Sequence, residues 1–315
     1  TSLPVSSCFS WIERSAHAAG AERRTASKRV ARVGGRRPID IDDKFVAPEL
    51  ALPEPLRLKP GEAVAVCALS SIPYTALFLG ALRAGVAVAP IAPSSTPESI
   101  AMMVADCGAK LFFLDAGVAE AQKPAPVPVR QIALDGSAAG EAFDAWLAPE
   151  GATPAPVEIG PKHPFNIIYS SGTTGTPKGI VQSHGMRWKH IFVGDAIGYG
   201  HTPVSLLSTP LYSNTTLVCF FPTLAGGGTV VLMKKFDVVR YLQLAQTHRI
   251  THTMLVPVQY RRLMEHPDFD TYDLSSTRMK FCTSAPFAAD LKAQVLKRWP
   301  GGLVEYFGMT EGGGP

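Results

Sequence analysis

The chain has 315 residues, of which 46% are apolar and 18% charged, and its formal net charge is +4 at pH 7. This composition is typical of a globular protein that can bury one or two sizeable cores, and it excludes disordered and fibrous classes. The mild positive charge favours an anionic substrate, and it does not indicate nucleic acid as a partner.

The cysteines predict neither a zinc site nor a redox motif, because the five are far apart and form no Cys-x-x-Cys pair; they are Cys8, Cys67, Cys107, Cys219 and Cys282. A reducing, cytoplasmic location fits this pattern best. The most apolar stretch, Ile72 to Ala92, is interrupted by Pro73 and Pro90, so it indicates a helix and a buried strand instead of a transmembrane segment. The N-terminus lacks the pattern of a secretory signal.

Residues 1–50 form an irregular, basic N-terminal segment. Two interpretations of it stay open, a solvated helix face, which is favoured, and a phosphate-binding arm. Short apolar runs then alternate with helical stretches, which indicates parallel sheets covered by helices. In a first subdomain, 51–160, the predicted strands are 63–68, 86–91 and 110–114, with helices at 74–84 and from about 96–98. A Pro-rich segment, 123–164, follows, which we expect to be a surface connection or a subdomain boundary, with one helical candidate at 139–147.

The alternation resumes in a second predicted subdomain, 161–315. Its predicted strands are 165–170, 179–182, 204–208, 229–233, 252–256, 278–283 and 303–306, and its predicted helices are 186–197, 215–224, 238–248, 258–264 and 288–299. The sequence therefore predicts an α/β fold of two subdomains, with mostly parallel sheets and helices on their faces.

The most informative segment is a Gly- and Thr-rich loop between two predicted strands, Tyr169-Ser-Ser-Gly-Thr-Thr-Gly-Thr-Pro-Lys-Gly179. Its glycines allow backbone N–H groups to approach a ligand, and its hydroxyls and single ammonium group suit a polyphosphate. The loop is not a Walker A motif, because Pro177 precedes the lysine and Gly179 follows it. A polar hairpin loop is the alternative. The candidate phosphate-binding residues are Ser170, Ser171, Gly172, Thr173, Thr174, Gly175, Thr176 and Lys178.

The complete loop resembles the phosphate-binding signature of the adenylate-forming superfamily, which comprises acyl-CoA synthetases, peptide-synthetase adenylation domains and luciferases. Three further segments are similar to motifs of that family: Glu305-Tyr-Phe-Gly-Met-Thr-Glu311 to its aromatic-Gly-x-Thr-Glu motif, Ser284-Ala-Pro286 to its adenine-pocket turn, and Leu79–Pro90 to a packing motif. The resemblance implies the large N-terminal domain of an enzyme that joins ATP and a carboxylic acid into an acyl-adenylate, with release of pyrophosphate.

The resemblance also implies roles for individual residues. Phe307 would stack on adenine, Thr310 would bond the α-phosphate and Glu311 would hold Mg²⁺, which suits an aromatic face, a hydroxyl and a carboxylate. The catalytic residues would be Lys178, Thr310 and Glu311. The adenine pocket would comprise Ser284, Ala285, Pro286, Glu305, Tyr306, Phe307 and Gly308, and the acyl pocket Tyr212, Ser213, Asn214, Thr215, Val256, Pro257 and Tyr260.

The chain departs from the family pattern in two places. Ser213 stands where many members have a histidine beside the acyl carboxylate, and from the residues alone Ser213 or Asn214 is a helix N-cap. The sequence stops soon after Glu311, before the family's ribose-binding aspartate and its C-terminal lid with a lysine. We therefore expect the lid to be absent from this chain, which alone would show weak adenylation or none.

The acyl-pocket residues are uncharged, so they suit an alkyl or aromatic acid better than an amino acid. Asp237 is favoured as the N-cap of the next helix over a role as an amino-acid-binding carboxylate. The resemblance thus implies an acyl-CoA synthetase that uses ATP, Mg²⁺, a carboxylic acid and CoA. Two alternatives stay open: a peptide-synthetase-type domain that loads a carrier protein, and a nucleotide-binding homologue without catalysis.

Overall fold

The chain folds as two compact units that divide between Arg187 and Trp188. The structure is a computed structural model, and it describes residues 58–147, 156–170, 177–196, 198–200 and 202–310. The basic segment 1–50 lies outside these residues. Among the described helices, none is long and apolar enough to cross a membrane.

The first unit contains a seven-stranded sheet of order β5-β4-β3-β1-β2-β6-β7. Neighbouring strands are parallel except for β6 and β7, which form an antiparallel hairpin. Every residue of β1, β2 and β3 is buried, as expected for parallel strands covered on both faces. The strands are β1 (Ala63–Cys67), β2 (Ala87–Pro90), β3 (Leu111–Leu114), β4 (Arg130–Ala133), β5 (Glu141–Ala142), β6 (Pro164–Ser170) and β7 (Lys178–Ser183).

The helices of this unit begin where the sequence supplies N-caps. The helices are α1 (Ile72–Arg83), α2 (Pro97–Asp106), α3 (Ala116–Ala121) and α4 (Phe143–Trp146). The side chains of Ser71, Thr96 and Asp115 each accept a hydrogen bond from the backbone N–H three residues on, at 3.2, 3.3 and 3.0 Å. Such bonds satisfy one of the unpaired donors at a helix start, so three polar residues fix where α1 to α3 begin.

The second unit contains a five-stranded sheet of order β12-β11-β10-β8-β9, in which every pair is parallel. The strands are β8 (Val204–Leu207), β9 (Thr229–Leu232), β10 (His252–Leu255), β11 (Met279–Cys282) and β12 (Gly302–Glu305). The helices that follow β7 along the chain are α5 (His184–Ala196), whose range includes the division between the units, α6 (Asn214–Ala225), α7 (Val238–Thr247), α8 (Pro257–Met264) and α9 (Ala289–Arg298), with a 3₁₀ turn at Phe269–Thr271.

The strand order places α6 on one face of the second sheet. The connection from β8 to β9 runs in one direction along the sheet. The connections from β9 to β10, from β10 to β11 and from β11 to β12 run in the other direction. Because crossovers between parallel strands are right-handed, α7, α8 and α9 cover the opposite face. Their apolar sides form a core around the buried residues Tyr241, Leu263, Val295 and Trp299.

The α/β fold with mostly parallel sheets is confirmed, but the predicted division of the chain is not the observed one. The predicted boundary at 160 precedes β6 and β7, and β6 pairs with β2 in the first sheet. The segment 123–164 was expected to be a surface connection, yet it contains β4, which pairs with β3. The predicted helix at 139–147 is reduced to α4, because β5 precedes it.

Candidate functional site

The predicted phosphate loop joins the two strands of the β6–β7 hairpin. In the hairpin register, Ser170 lies opposite Lys178, and Tyr169 lies opposite Gly179. Residues 171–176, which hold the remaining candidate phosphate ligands, lie outside the described residues. The Lys178 side chain is exposed at the end of the hairpin, where its ammonium can reach an anion in solvent.

The base of this hairpin is fixed by Tyr169, which the sequence did not single out. Its hydroxyl donates to Asp106 Oδ2 at 2.7 Å, and it lies 3.0 Å from the carbonyl oxygen of Met103 near the end of α2. A Cβ at Gly179 would lie 3.2 Å from both the Tyr169 ring and Asp106 Oδ2. Glycine at this position therefore gives the tyrosine ring room to cross the hairpin and reach α2.

The second group of predicted residues lies at the carboxyl edge of the five-stranded sheet. Between β8 and β10 the direction of the strand connections reverses, and open α/β sheets bind ligands in the crevice at such a point. The amide of Gln259, in the first turn of α8, reaches Ser208 Oγ, just after β8, at 3.3 Å. Val256 and Pro257, from the predicted acyl pocket, are half-buried at this edge.

The turn after β11 has an unusual backbone at Ser284, whose φ is +78°. A non-glycine residue in this region costs about 1–3 kcal/mol, and such strain is concentrated at ligand-binding sites. The Ser284 hydroxyl lies 2.7 Å from Thr215 Oγ1 in the first turn of α6. This contact brings together one residue of the predicted adenine pocket and one of the predicted acyl pocket. Ala285 and Pro286 are exposed beside it.

The segment after β12 presents the predicted adenine platform to solvent. The side chain of Phe307 is 89% exposed and that of Met309 is 67% exposed, while Thr310 is half-buried. Exposure of a large aromatic ring to water is unfavourable, so burial of the ring would stabilise the binding of a ligand or partner surface that covers it. Gly308 is exposed, and Glu311 lies outside the described residues.

Glu305 fixes this segment instead of presenting a free carboxylate. It accepts a hydrogen bond from the Phe287 N–H at 3.0 Å and pairs with Lys292 Nζ of α9 at 2.5 Å. The hydrogen bond from Lys292 lowers the pKa of Glu305, so the carboxylate stays ionised well below neutral pH. The Thr283 hydroxyl also donates to the Tyr306 carbonyl at 3.1 Å, so the two turns are joined at two points.

The start of α6 carries most of the predicted acyl-pocket residues. Tyr212, Ser213 and Asn214 are half-buried, and Ser213 is the N-cap residue, although its side chain makes no capping hydrogen bond. The first turn of a helix directs backbone N–H groups and a partial positive charge outward, which favours a carboxylate nearby. Tyr260, in contrast, is fully buried; its hydroxyl donates to the Phe281 carbonyl at 2.9 Å.

Asp237 has the local role that the residues favour. It is the N-cap of α7, and its carboxylate accepts a hydrogen bond from the Arg240 N–H at 2.8 Å. An amino-acid substrate would need a carboxylate directed at its ammonium group, and this one is already used by the helix.

Comparison with known proteins identifies the family. Residues 52–315 match the model of the AMP-binding enzyme family, and the chain belongs to that family. It is 31% identical over 270 residues to 4-coumarate–CoA ligase 5 of Oryza sativa subsp. japonica, covering 80% of this chain and 48% of the relative. It is 27% identical over 272 residues to the fatty acid–[acyl-carrier-protein] ligase ScoC of Streptomyces coeruleorubidus, covering 81% and 50%.

The solved structures show the same fold. ATP-bound MatB from Rhodopseudomonas palustris has a TM-score of 0.71 and 27% sequence identity, and the match covers 82% of this chain and 52% of that one. The chain spans about half the length of the curated relatives it matches. The resemblance drawn from the loop and the Thr-Glu motif is therefore confirmed at the level of the family.

The anchors of the site were not evident from the sequence. Asp106 holds Tyr169 in place, and Phe287 and Lys292 hold Glu305; in each pair the two residues are more than ten positions apart along the chain. A helix-terminal aspartate or a lysine on a helix gives no sequence signal for such a role, because both residue types are common on surfaces.

Proposed function

We propose that this chain is the ATP-binding and acid-binding part of a ligase that activates a carboxylic acid as an acyl-adenylate and releases pyrophosphate. The observation that carries the proposal is the carboxyl edge of the second sheet, where the exposed ring of Phe307 stands next to the strained turn at Ser284. An exposed aromatic ring at a switch-point edge is suited to stack on a base.

The predicted site residues divide between the partners of this reaction. In the proposal, the Ser170–Lys178 hairpin binds the phosphates, Phe307 and the turn 284–286 bind adenine, and Thr310 bonds the α-phosphate. Glu311 would supply a carboxylate oxygen to Mg²⁺, which prefers such ligands. Attack of a carboxylate on a phosphate joins two anions, so the charges of Lys178 and Mg²⁺ are needed to reduce their repulsion.

The carboxylic acid would lie at the start of α6. Tyr212, Ser213, Asn214 and Thr215 bring polar groups and helix N–H groups to one place, and none of them is charged. An uncharged pocket favours an acid without an ammonium group. The N-cap role of Asp237 supports the same choice, because this carboxylate already accepts a hydrogen bond from the helix that it caps.

The second half of the proposed reaction transfers the acyl group to a thiol, and we propose CoA as the acceptor. The relatives support both CoA and a carrier protein, since one is a 4-coumarate–CoA ligase and another a fatty acid–[acyl-carrier-protein] ligase. A nucleotide-binding homologue without catalysis is the second candidate function, favoured by Ser213 in the place of the family's histidine.

Isotope exchange between labelled pyrophosphate and ATP tests this proposal. The purified protein is incubated with ATP, Mg²⁺ and one acid at a time from alkyl, aryl and amino acid sets. Exchange that depends on an alkyl or aryl acid supports acid activation. Exchange that depends only on amino acids would contradict the acid class. ATP binding without exchange for any acid is expected both of the non-catalytic homologue and of this chain without the lid that the family resemblance implies. Addition of CoA or of a phosphopantetheinylated carrier protein then identifies the acceptor by thioester formation.

A further inference from the structure

One carboxylate joins the two segments that line the predicted adenine pocket. Glu305 Oε1 accepts a hydrogen bond from the Phe287 N–H at 3.0 Å, and Glu305 Oε2 lies 2.5 Å from Lys292 Nζ at the start of α9. Phe287 directly follows the turn 284–286, and Glu305 ends β12 two residues before Phe307. The side chain of Glu305 therefore links the turn to the segment that carries the exposed ring.

Phe287 is the fixed end of this link. Its side chain is 4% exposed, and its ring stacks on that of Tyr260, with 5.0 Å between the ring centres and 22° between the ring planes. Tyr260 is fully buried, and its hydroxyl donates to the Phe281 carbonyl in β11. Because protein interiors are close-packed, Phe287 cannot shift without displacing these neighbours. Glu305 is thus bound to a point that the core of the second unit holds in place.

Lys292 holds the Glu305 carboxylate in this position. Its ammonium lies beside both partners, 2.5 Å from Glu305 Oε2 and 5.8 Å from the centre of the Phe287 ring. A glutamate side chain has several rotamers, and a donor on its second oxygen favours the rotamer that reaches the Phe287 N–H. Each oxygen of the carboxylate therefore has a donor from the protein, which is the arrangement of a support and not of a free ligand group.

The same contacts govern the position of the Phe307 ring. The Tyr306 N–H donates to the Cys282 carbonyl at 2.8 Å, and the Tyr306 carbonyl accepts a hydrogen bond from the Thr283 hydroxyl at 3.1 Å. The backbone is thus fixed up to the residue before the ring, and the ring itself is 89% exposed. Its position relative to the turn depends on where Glu305 and Tyr306 place the chain.

We propose that Lys292 is a positioning residue for adenine nucleotides: through Glu305 it keeps Phe307 and the turn 284–286 at the separation that receives the adenine ring. This inference rests on the proposed function, and it gives Glu305 a supporting role in the adenine pocket instead of direct contact with the base. The side chains of Lys292 and Glu305 are 36% and 33% exposed, and ion pairs this exposed contribute little to stability. Removal of the ammonium should therefore weaken nucleotide binding and leave the fold intact.

Calorimetric titration with MgATP tests this role. Lys292→Met, which keeps the length of the side chain and removes its charge, should raise the Kd by about fivefold, the equivalent of one hydrogen bond. Lys292→Arg should bind ATP within about twofold of the wild type, because a guanidinium also donates to a carboxylate. Lys297→Met, at an exposed position in the last turn of α9, is the matched control and should leave the Kd unchanged. The midpoint of thermal unfolding of each variant should lie within about 2 °C of the wild type.

A double-mutant cycle shows whether Lys292 acts through Glu305. Glu305→Ala removes the link, so addition of Lys292→Met to that variant should change the Kd by less than about twofold. Losses that multiply in the double variant would show that Lys292 affects ATP binding by another route, and they would overturn the proposal.

Other results would overturn it as well. Lys292→Met that binds ATP as tightly as the wild type, or Lys292→Arg that loses as much affinity as the methionine variant, would exclude the positioning role. So would a large fall in the unfolding midpoint of Lys292→Met, because the pair would then support the fold and not the pocket. A wild type that does not bind ATP would instead remove the proposed function on which this inference rests.

Discussion

The buried lysine of β11 provides a sharp test of the second unit. Lys280 is fully buried, and its ammonium donates to three backbone carbonyls just after α9, those of Trp299 at 3.1 Å, Pro300 at 2.6 Å and Gly301 at 2.8 Å. A cation at this position also interacts favourably with the negative end of the helix dipole. We expect Lys280→Met to keep the volume of the side chain and to lose all three hydrogen bonds.

The size of the expected loss in stability depends on which of the three carbonyl groups water can reach once the ammonium group is removed. A hydrogen bond to a charged group contributes about 1.5–3 kcal/mol, and a carbonyl left without a donor in the interior costs a comparable amount. Pro300 and Gly301 are exposed residues, so water can replace part of what their carbonyls lose, whereas Trp299 is buried. Removal of the buried charge returns part of its desolvation free energy. The net loss in the free energy of unfolding should be about 2–3 kcal/mol.

The assay is urea unfolding at pH 7, with Lys297→Met as the matched control. Lys297 is an exposed lysine in the last turn of α9, so its substitution should change the free energy of unfolding by less than about 0.5 kcal/mol. If Lys280→Met is as stable as the wild type, or if both variants lose the same amount, the three hydrogen bonds do not stabilise the unit and the reasoning is refuted.

The pH dependence of the difference in stability between the wild type and Lys280→Met gives an independent check. Burial lowers the pKa of Lys280 from 10.5 to about 8. Between these two values the unfolded chain binds more protons than the folded one, so the wild type should gain stability relative to Lys280→Met as the pH rises. The expected slope is about 1.4 kcal/mol per pH unit. A difference that falls with rising pH would show that the folded state holds the proton more tightly than the unfolded state.

Three further predictions concern other parts of the chain. Burial lowers the pKa of His184, whose ring lies 4.9 Å from that of Phe165, to about 4. Relative to His184→Phe, the free energy of unfolding of the wild type should therefore fall by about 1.4 kcal/mol per pH unit as the pH falls from 6.5 toward 4. Chemical unfolding measures this difference, and a difference that does not change with pH would contradict the prediction. Gly228→Ala would place a Cβ 2.1 Å from Pro203 O and should lower the free energy of unfolding by about 3 kcal/mol or more. The control, Gly136→Ala, has open space around the new Cβ but a φ of +72°, so it should cost about 1 kcal/mol. Thermal unfolding compares the two variants, and equal losses would refute the steric argument. Phe307→Ala should weaken ATP binding, measured by calorimetry, by about 1–3 kcal/mol and leave the free energy of unfolding unchanged, because it removes the stacking surface. Phe307→Tyr keeps an aromatic ring and should bind ATP as the wild type does. Unchanged affinity in the alanine variant would exclude Phe307 as the adenine platform.

Much of the fold could be predicted from the sequence because its strands are short apolar runs between helical stretches. Every residue of β1 and β3 is buried, and such runs are easily recognised. β4 was missed, because only Ile132 and Ala133 of its four residues are buried and prolines crowd the segment before it. The boundary between the subdomains was misplaced because the alternation of strands and helices does not reveal to which sheet a strand belongs, and β6 returns to the first.

The family could be recognised where the residues of its motifs are contiguous in the chain. The loop at 169–179 and the motif at 305–311 each carry several functional groups within a few residues, so their pattern is specific. The contacts that join distant segments were not predictable in this way. Thr215 and Ser284 meet only because α6 begins and β11 ends at the same edge of one sheet. In the same way, Phe281 lies between Tyr306 and Tyr199 only in the folded unit.

Substitution of Glu311 tests whether this chain activates a carboxylic acid with ATP. The measurement is acid-dependent exchange of labelled pyrophosphate into ATP by the wild type and by Glu311→Gln, which keeps the size of the side chain and removes its charge. We expect at most weak exchange in the wild type, and a loss of that exchange in the variant, because a Mg²⁺ ligand is removed. Measurable exchange at the same rate in both proteins, or a wild type that neither exchanges pyrophosphate with any acid nor binds ATP, would contradict the proposed activity.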